Sequence, residues 1–169
     1  MKLSTFRFRF TAATAAVLAL SSPASAAGVE LMDDTGRRVV LAAPAKRIVS
    51  LAPHVTEMLF AAGAGERVVG AVDYSDYPEA ARRIERVGGY TRIDLEAVAA
   101  LRPDLVIGWQ SGNRESDLAR LQALGIPVYL SEPRNLEDVA RNLERLGRLA
   151  GSEPTAQTAA GAFRARRDQ

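Results

Sequence analysis

Apolar residues fall along this chain in two alternating rhythms, short continuous runs and helical stripes, and glycines, prolines or capping side chains mark the changes. Val29 to Met32 and Arg37 to Leu41 are strand-like, and Asp33-Asp34-Thr35-Gly36 between them predicts a hairpin turn. Ala42 to Lys46, with Pro44, is a connector. Arg47 to Leu51 then reads as a strand, and Val55, Met58, Leu59 and Ala62 fall at i, i+3, i+4 and i+7 before Gly63 ends the helix. Arg67 to Val72 is the next strand, and a short helix follows Pro78. Asp94 caps a helix through Leu95, Val98 and Leu101 that Pro103 stops. Leu105 to Gly108 is a third strand, Glu115 to Leu124 a helix closed by Gly125, and Pro127 to Leu130 a fourth strand.

Asn135 caps the strongest helix, whose stripe is Leu136, Val139, Leu143 and Leu146 and whose stop is Gly151. Glu137 with Arg141 and Glu144 with Arg148 are i,i+4 pairs of favourable polarity. Ser152-Glu153-Pro154 opens a last helix from Ala156 to Gln169 that projects from the finished pattern, as expected of part of a larger protein. Strands alternating with helices over short loops pair in parallel with right-handed crossovers. The expectation is an α/β fold: a Rossmann-like doubly wound sandwich with a parallel sheet of about four strands, preceded by a small β-hairpin. Its functional groups then belong on the loops after the strand C-terminal ends.

Composition sharpens this picture in two places. The chain has 169 residues, 47% of them hydrophobic and 25% charged, a folded globular composition with length for about one domain. It contains no cysteine, which removes disulfides, thiolate metal sites, cysteine nucleophiles and cysteine-borne lipid anchors. Lys2, Arg7 and Arg9 precede the apolar stretch Thr11 to Leu20, Pro23 breaks it, and Ala24-Ser25-Ala26 has the A-x-A cleavage pattern. This predicts a secretory signal peptide over 1–26, cut after Ala26; Thr11 to Leu20 lacks the polar periodicity of an amphipathic core helix. Without it the net charge of +2 becomes −1, because three positive charges and no negative one are lost. No basic face for nucleic acid survives that cut, and no span crosses a membrane. The expected location is the periplasm.

The candidate chemistry is that of binding. Gly63 to Gly70 is glycine-rich, but it follows a helix and precedes a strand, the reverse of a pyrophosphate loop. Walker, G-x-S-x-G and H-E-x-x-H motifs are absent, and His54 is the only histidine. A small secreted α/β hydrolase using His54 as general base, with Ser50 four positions earlier, is the alternative from the enzyme class. What gathers at the strand ends is aromatic: Pro53-His54, Tyr74 to Pro78, Gly88 to Arg92 around Tyr90, and Trp109 followed by the loop Gln110-Ser111-Gly112-Asn113. Flat π surfaces with a few hydrogen-bonding groups suit a large, partly planar ligand. Tyr77 is expected to pack on its own turn.

Several segments carry a resemblance. Arg47-Ile48-Val49-Ser50-Leu51-Ala52-Pro53 with Thr56-Glu57, Tyr74-Ser75-Asp76-Tyr77-Pro78, Asp94-Leu95-Glu96, Leu101 to Ile107, and Trp109 with Gly112-Asn113 are similar to cobalamin (vitamin B12) binders among the periplasmic solute-binding proteins of ABC importers. The wider family also serves iron siderophores and haem. The resemblance implies two α/β lobes joined by a long rigid helix. Here 27–46 would be hairpin and connector, 47–151 the N-terminal ligand-binding lobe and 152–169 the truncated start of the interlobe helix. It implies a monomer that binds a corrinoid, with no catalytic cofactor, and delivers it to a permease dimer. Contacts fall at Pro53, His54, Tyr74, Tyr90 and Trp109, and permease docking at Glu96. At His54 and Tyr90 the chain departs from the cobalamin pattern, which has a small residue and a tryptophan there. Gly89-Tyr90-Thr91-Arg92 also resembles a haem-binding loop, in which Tyr90 or His54 would ligate the iron; haem or a ferric siderophore is the alternative ligand.

Overall fold

The computed structural model describes residues 28–169, so the expected leader and cleavage site fall outside the described residues. Strands β1 (Val29–Met32) and β2 (Arg38–Leu41) form the expected antiparallel hairpin. From there β3 (Ile48–Ser50) leads into helix α1 (Pro53–Ala61), then β4 (Val68–Ala71) and, after a 3-10 turn over Glu79–Arg83, β5 (Glu85–Arg86). A second small hairpin, β6 (Gly88–Gly89) and β7 (Arg92–Ile93), precedes α2 (Leu95–Ala100). The chain continues through β8 (Leu105–Trp109), α3 (Glu115–Ala123), β9 (Val128–Ser131), α4 (Leu136–Ala150) and α5 (Glu153–Arg167). The caps are those the side chains dictate. Asp94 accepts from the backbone N–H of Glu96 and Ala97, Asn135 accepts from Asp138, and Gly151 closes α4 in the left-handed region.

The central sheet is all parallel in the order β5-β4-β3-β8-β9. It has five strands where about four were expected, because β5 is two residues long and carries no hydrophobic period to announce it. Successive side chains of a strand face opposite ways, and the core divides accordingly. Ile48, Leu105, Ile107 and Tyr129 face α1, α4 and α5, while Val49, Val106 and Val128 face Val98 of α2 and Leu118 and Leu121 of α3. Helices on both faces of a parallel sheet make the doubly wound sandwich the pattern predicts. Tyr129 is fully buried in the first layer, and burial pushes its phenol up to about 12.

Turn residues of the first hairpin close the outer margin of β9. Arg37 donates to the Val128 carbonyl, the Asp34 backbone N–H to Leu130, and the Asp33 and Asp34 carboxylates accept from the N–H of Leu130 and Glu132. Asp34 also accepts from Asn142 and pairs with Arg145 of α4, while Val29, Val39 and Leu41 join the first core layer.

The two C-terminal helices correct three expectations. Helix α5 does not project; it lies along α4 with Ala156 and Ala160 buried. Gly147 makes that approach possible, since a Cβ there would sit 2.2 Å from Cβ of Ala156. Leu136 is 57% exposed and falls outside the buried stripe. The acidic residues of α4 reach across to α5: Glu137 pairs with Arg164 and Arg167, and Glu144 with Arg164. Arg141 pairs with Asp138, and Arg148 faces Glu153 at 3.6 Å. Hydrogen bonds from Arg164 and Arg167 draw the Glu137 carboxyl down to about 2.

Candidate functional site

In a doubly wound sheet the connections leave a crevice where the winding reverses, outside the C-terminal ends of the two strands on either side. Here the chain passes from β3 to β4 and β5 on one side and returns to β8 and β9 on the other, so the reversal lies between β3 and β8. Ser50, the last residue of β3, is paired with Ile107 of β8, and the Leu51 N–H donates to the Ile107 carbonyl at 2.9 Å. That register brings the residues after β3 against the end of β8. Pro53 opens α1, where a missing N–H costs nothing, and His54 follows it in the first turn. Trp109 is the last residue of β8.

The imidazole of His54 meets Trp109 edge to face, with ring centroids 5.2 Å apart and planes at 83°. Tyr90, at the tip of the β6–β7 hairpin, meets the same indole at 5.9 Å and 43°. Trp109 folds back over its own loop: a Cβ on Gly112 would lie 1.9 Å from Cε3 of the indole, so only glycine leaves room for the ring. Three of the five expected binding residues thus form one continuous wall, with Pro53 beside His54. His54 is half-buried, and burial lowers its pKa, against the raising influence of the Glu132 carboxylate. The imidazole is therefore neutral at pH 7, and its Nε2 is buried with no hydrogen-bond partner.

Tyr74 stands apart from this wall. It has φ +65°, is 78% exposed, and is in neither of the two ring contacts. The loop that carries it is held from below. Buried Ser75 lies within 3.1 Å of the Thr56 hydroxyl, Arg86 donates to the Ser75 carbonyl and the Asp76 carboxylate, and the Asp73 N–H donates to Gly88 of the hairpin. Tyr77 does not pack on its own turn; it is 70% exposed and lines a groove with Met58, Leu143 and Phe163. Glu96 is exposed in the first turn of α2, the helix that follows the hairpin carrying Tyr90, and is not among the ring contacts of the wall.

Two residues of the site escape a sequence reading. Asn113 ends a stretch that looks like a polar surface loop, yet it is 7% exposed. Its Oδ1 accepts from the Trp109 N–H at 2.7 Å and its Nδ2 donates to the carbonyls of Leu51 at 2.9 Å and Tyr90 at 2.8 Å. Glu132, just past β9, accepts from both the N–H and the hydroxyl of Ser111 at 3.0 Å. A polar residue four positions after a strand-end tryptophan is the one local hint of the first; nothing local marks the second.

Ser50 is fully buried and its hydroxyl is engaged with Thr56 at 2.8 Å and the Ala52 carbonyl at 3.1 Å, so it is not the partner of His54 that a hydrolase needs. Among the described residues no group of three His, Cys, Asp or Glu side chains could hold a metal ion, and no helix is long and apolar enough to cross a membrane. The arrangement is an aromatic wall, His54, Trp109 and Tyr90, resting on the buried amide of Asn113.

A family model described as periplasmic binding protein matches residues 48–166. This chain belongs to the periplasmic binding protein family. Among similar members of the family is a vitamin B12-binding protein of Vibrio campbellii, 45% identical over 122 residues that cover 72% of this chain and 44% of the relative. The vitamin B12-binding protein of Yersinia pestis is 40% identical over 120 residues, 71% of this chain and 43% of the relative. In structure the chain is similar to the periplasmic vitamin B12 binding protein of Vibrio cholerae (TM-score 0.71, 42% identity, 74% of this chain and 49% of that one). It is also similar to a periplasmic heme binding protein of Pseudomonas aeruginosa (TM-score 0.68, 30% identity, 72% and 44%). The chain spans about half the length of the relatives it matches.

Proposed function

We propose that this periplasmic binding protein chain supplies the N-terminal lobe of a protein that captures cobalamin or a related corrinoid in the periplasm and hands it to an ABC importer. The observation that carries the reading is the wall at the sheet reversal, where Trp109 is flanked by His54 and Tyr90 within 6 Å. A corrin is broad, flat and conjugated, and offset or edge contacts with aromatic rings suit it. Pro53, His54, Tyr90 and Trp109 form the floor in this reading, and Tyr74 approaches from its raised loop. Residues 1–26 are the leader, 27–46 the hairpin and connector, 47–151 the binding lobe, and 152–169 the start of a helix toward a second lobe. Glu96, exposed on α2, is the docking carboxylate for the permease. Names of the similar proteins point the same way, with the vitamin B12 binders at higher identity than the heme binder.

Haem is the competing ligand, and the buried Nε2 weighs against His54 as its iron donor, leaving Tyr90. Trp109 is the sole tryptophan of the chain, so one titration separates the two. Cyanocobalamin is expected to quench Trp109 fluorescence saturably, with hemin giving no shift of its Soret band. A hemin-specific Soret shift that Tyr90→Phe abolishes would move the assignment to haem, and no response to either would overturn it.

A further inference from the structure

The one buried side chain that touches three of the loops at the sheet reversal is Asn113. Its amide bridges the end of β3 through the Leu51 carbonyl, the β6–β7 hairpin through the Tyr90 carbonyl and the end of β8 through the Trp109 N–H. Each contact uses a different capacity of the amide, one oxygen and two N–H donors, so no other natural side chain of this size satisfies all three. The hairpin it holds is short. Beyond its own two-residue pairing, it is fixed at its base by Gly88 accepting from Asp73 and by Asp94 donating to Val87, and at its tip by Asn113 donating to the Tyr90 carbonyl. Around the amide the space is full: a Cβ on Gly108 would come 3.4 Å from Oδ1 of Asn113 and 2.9 Å from Leu118 and Leu130.

We propose that Asn113 is the positioning residue of the binding wall: it pins the backbone of Tyr90 against Trp109 and so pre-forms the surface that a flat ligand meets. The inference rests on the binding role proposed above, but its structural half does not depend on which ligand is bound. Pre-forming a surface raises affinity because the ordering of the hairpin is completed before the ligand arrives. Asn113 is itself covered, so it acts through Tyr90 and Trp109 and does not touch the ligand.

The isosteric change Asn113→Asp isolates this role. An aspartate keeps the acceptor for Trp109 and replaces the two donors with an oxygen facing the carbonyls of Leu51 and Tyr90 at under 3 Å, an arrangement that repels. Without ligand, amide hydrogen exchange in the expressed chain is expected to speed up across residues 88–93 while β8 stays protected, and Trp109 emission to shift red. With cyanocobalamin as probe, the affinity is expected to fall about tenfold, the size of one lost buried hydrogen bond. Tyr90→Ala should then add little to Asn113→Asp, since both remove the same half of the wall. Additive losses, or unchanged exchange at 88–93, would overturn the proposal. Should Asn113→Asp not fold, Asn113→Ser, uncharged and too short to span Leu51 and Tyr90, repeats the test. A wild-type chain that binds neither cyanocobalamin nor hemin would sink the binding role alone, because the exchange and emission arms still decide whether Asn113 positions Tyr90.

Discussion

At the scale of single residues, two positions show how closely the wall is fitted. Gly112 lies under the indole, and Gly112→Ala places a methyl group inside the ring's present volume, 1.9 Å from Cε3. Overpacking of this kind costs about 1–3 kcal/mol. The expected outcome is a lower thermal midpoint together with a red-shifted Trp109 emission spectrum. His54 makes the stability of the chain depend on pH in a definite direction. Burial lowers its pKa below the ordinary 6.5, so the folded state binds fewer protons than the unfolded state just below that pH. Stability is therefore greatest above the ordinary histidine value and is lost as pH falls through it toward the lowered folded value. Melting curves between pH 7.5 and 5 should show this slope in the wild type, and His54→Gln should flatten it. The placement of part of the candidate wall was legible at this scale. His54 and Trp109 follow strand-like runs in sequence, and topology alone brings strand ends to one edge, whereas Tyr90 sits in a loop whose short hairpin no hydrophobic period announces. The role of Asn113 was hidden, because its partners are backbone groups 62 and 23 residues away and a polar residue in a loop resembles solvent-facing decoration.

Elements were predictable where the chain carries its own local instructions. Asp94, Asn135 and Gly151 cap or stop helices through contacts with near neighbours, and they do so in the structure. What depends on distant partners was not readable: β5 exists because β4 offers it an edge, and Glu137 and Glu144 choose arginines of α5 over those one turn along their own helix. Gly147 belongs to this second kind. Replacing a mid-helix glycine by alanine gains about 1 kcal/mol of helix propensity in isolation. Here the new methyl would lie 2.2 Å from Ala156, and the overlap, costing about 1–3 kcal/mol, outweighs that gain where the helices cannot separate. Gly147→Ala is thus expected to destabilise the chain in urea unfolding by about 1 kcal/mol net; a stabilised variant would mean that α5 is free to move off α4.

For the molecule as a whole, the wall and the proposed docking carboxylate lie on different elements, so in the proposed function a change at one should leave the other intact. In the proposed two-lobed protein Glu96→Ala is expected to leave cyanocobalamin affinity unchanged and to lower importer-dependent uptake, and uptake at the wild-type rate would remove Glu96 from the docking role. The first hairpin has a further meaning at this scale. One margin of the sheet is the two-residue β5, Glu85 and Arg86, and the other is occupied by Asp33, Asp34 and Arg37. Bare strand margins are templates on which a neighbouring chain can build. Copies of this lobe folding side by side at high local concentration therefore offer one another little to copy, and the turn that looks like an appendage to the binding domain is its protection against runaway self-assembly.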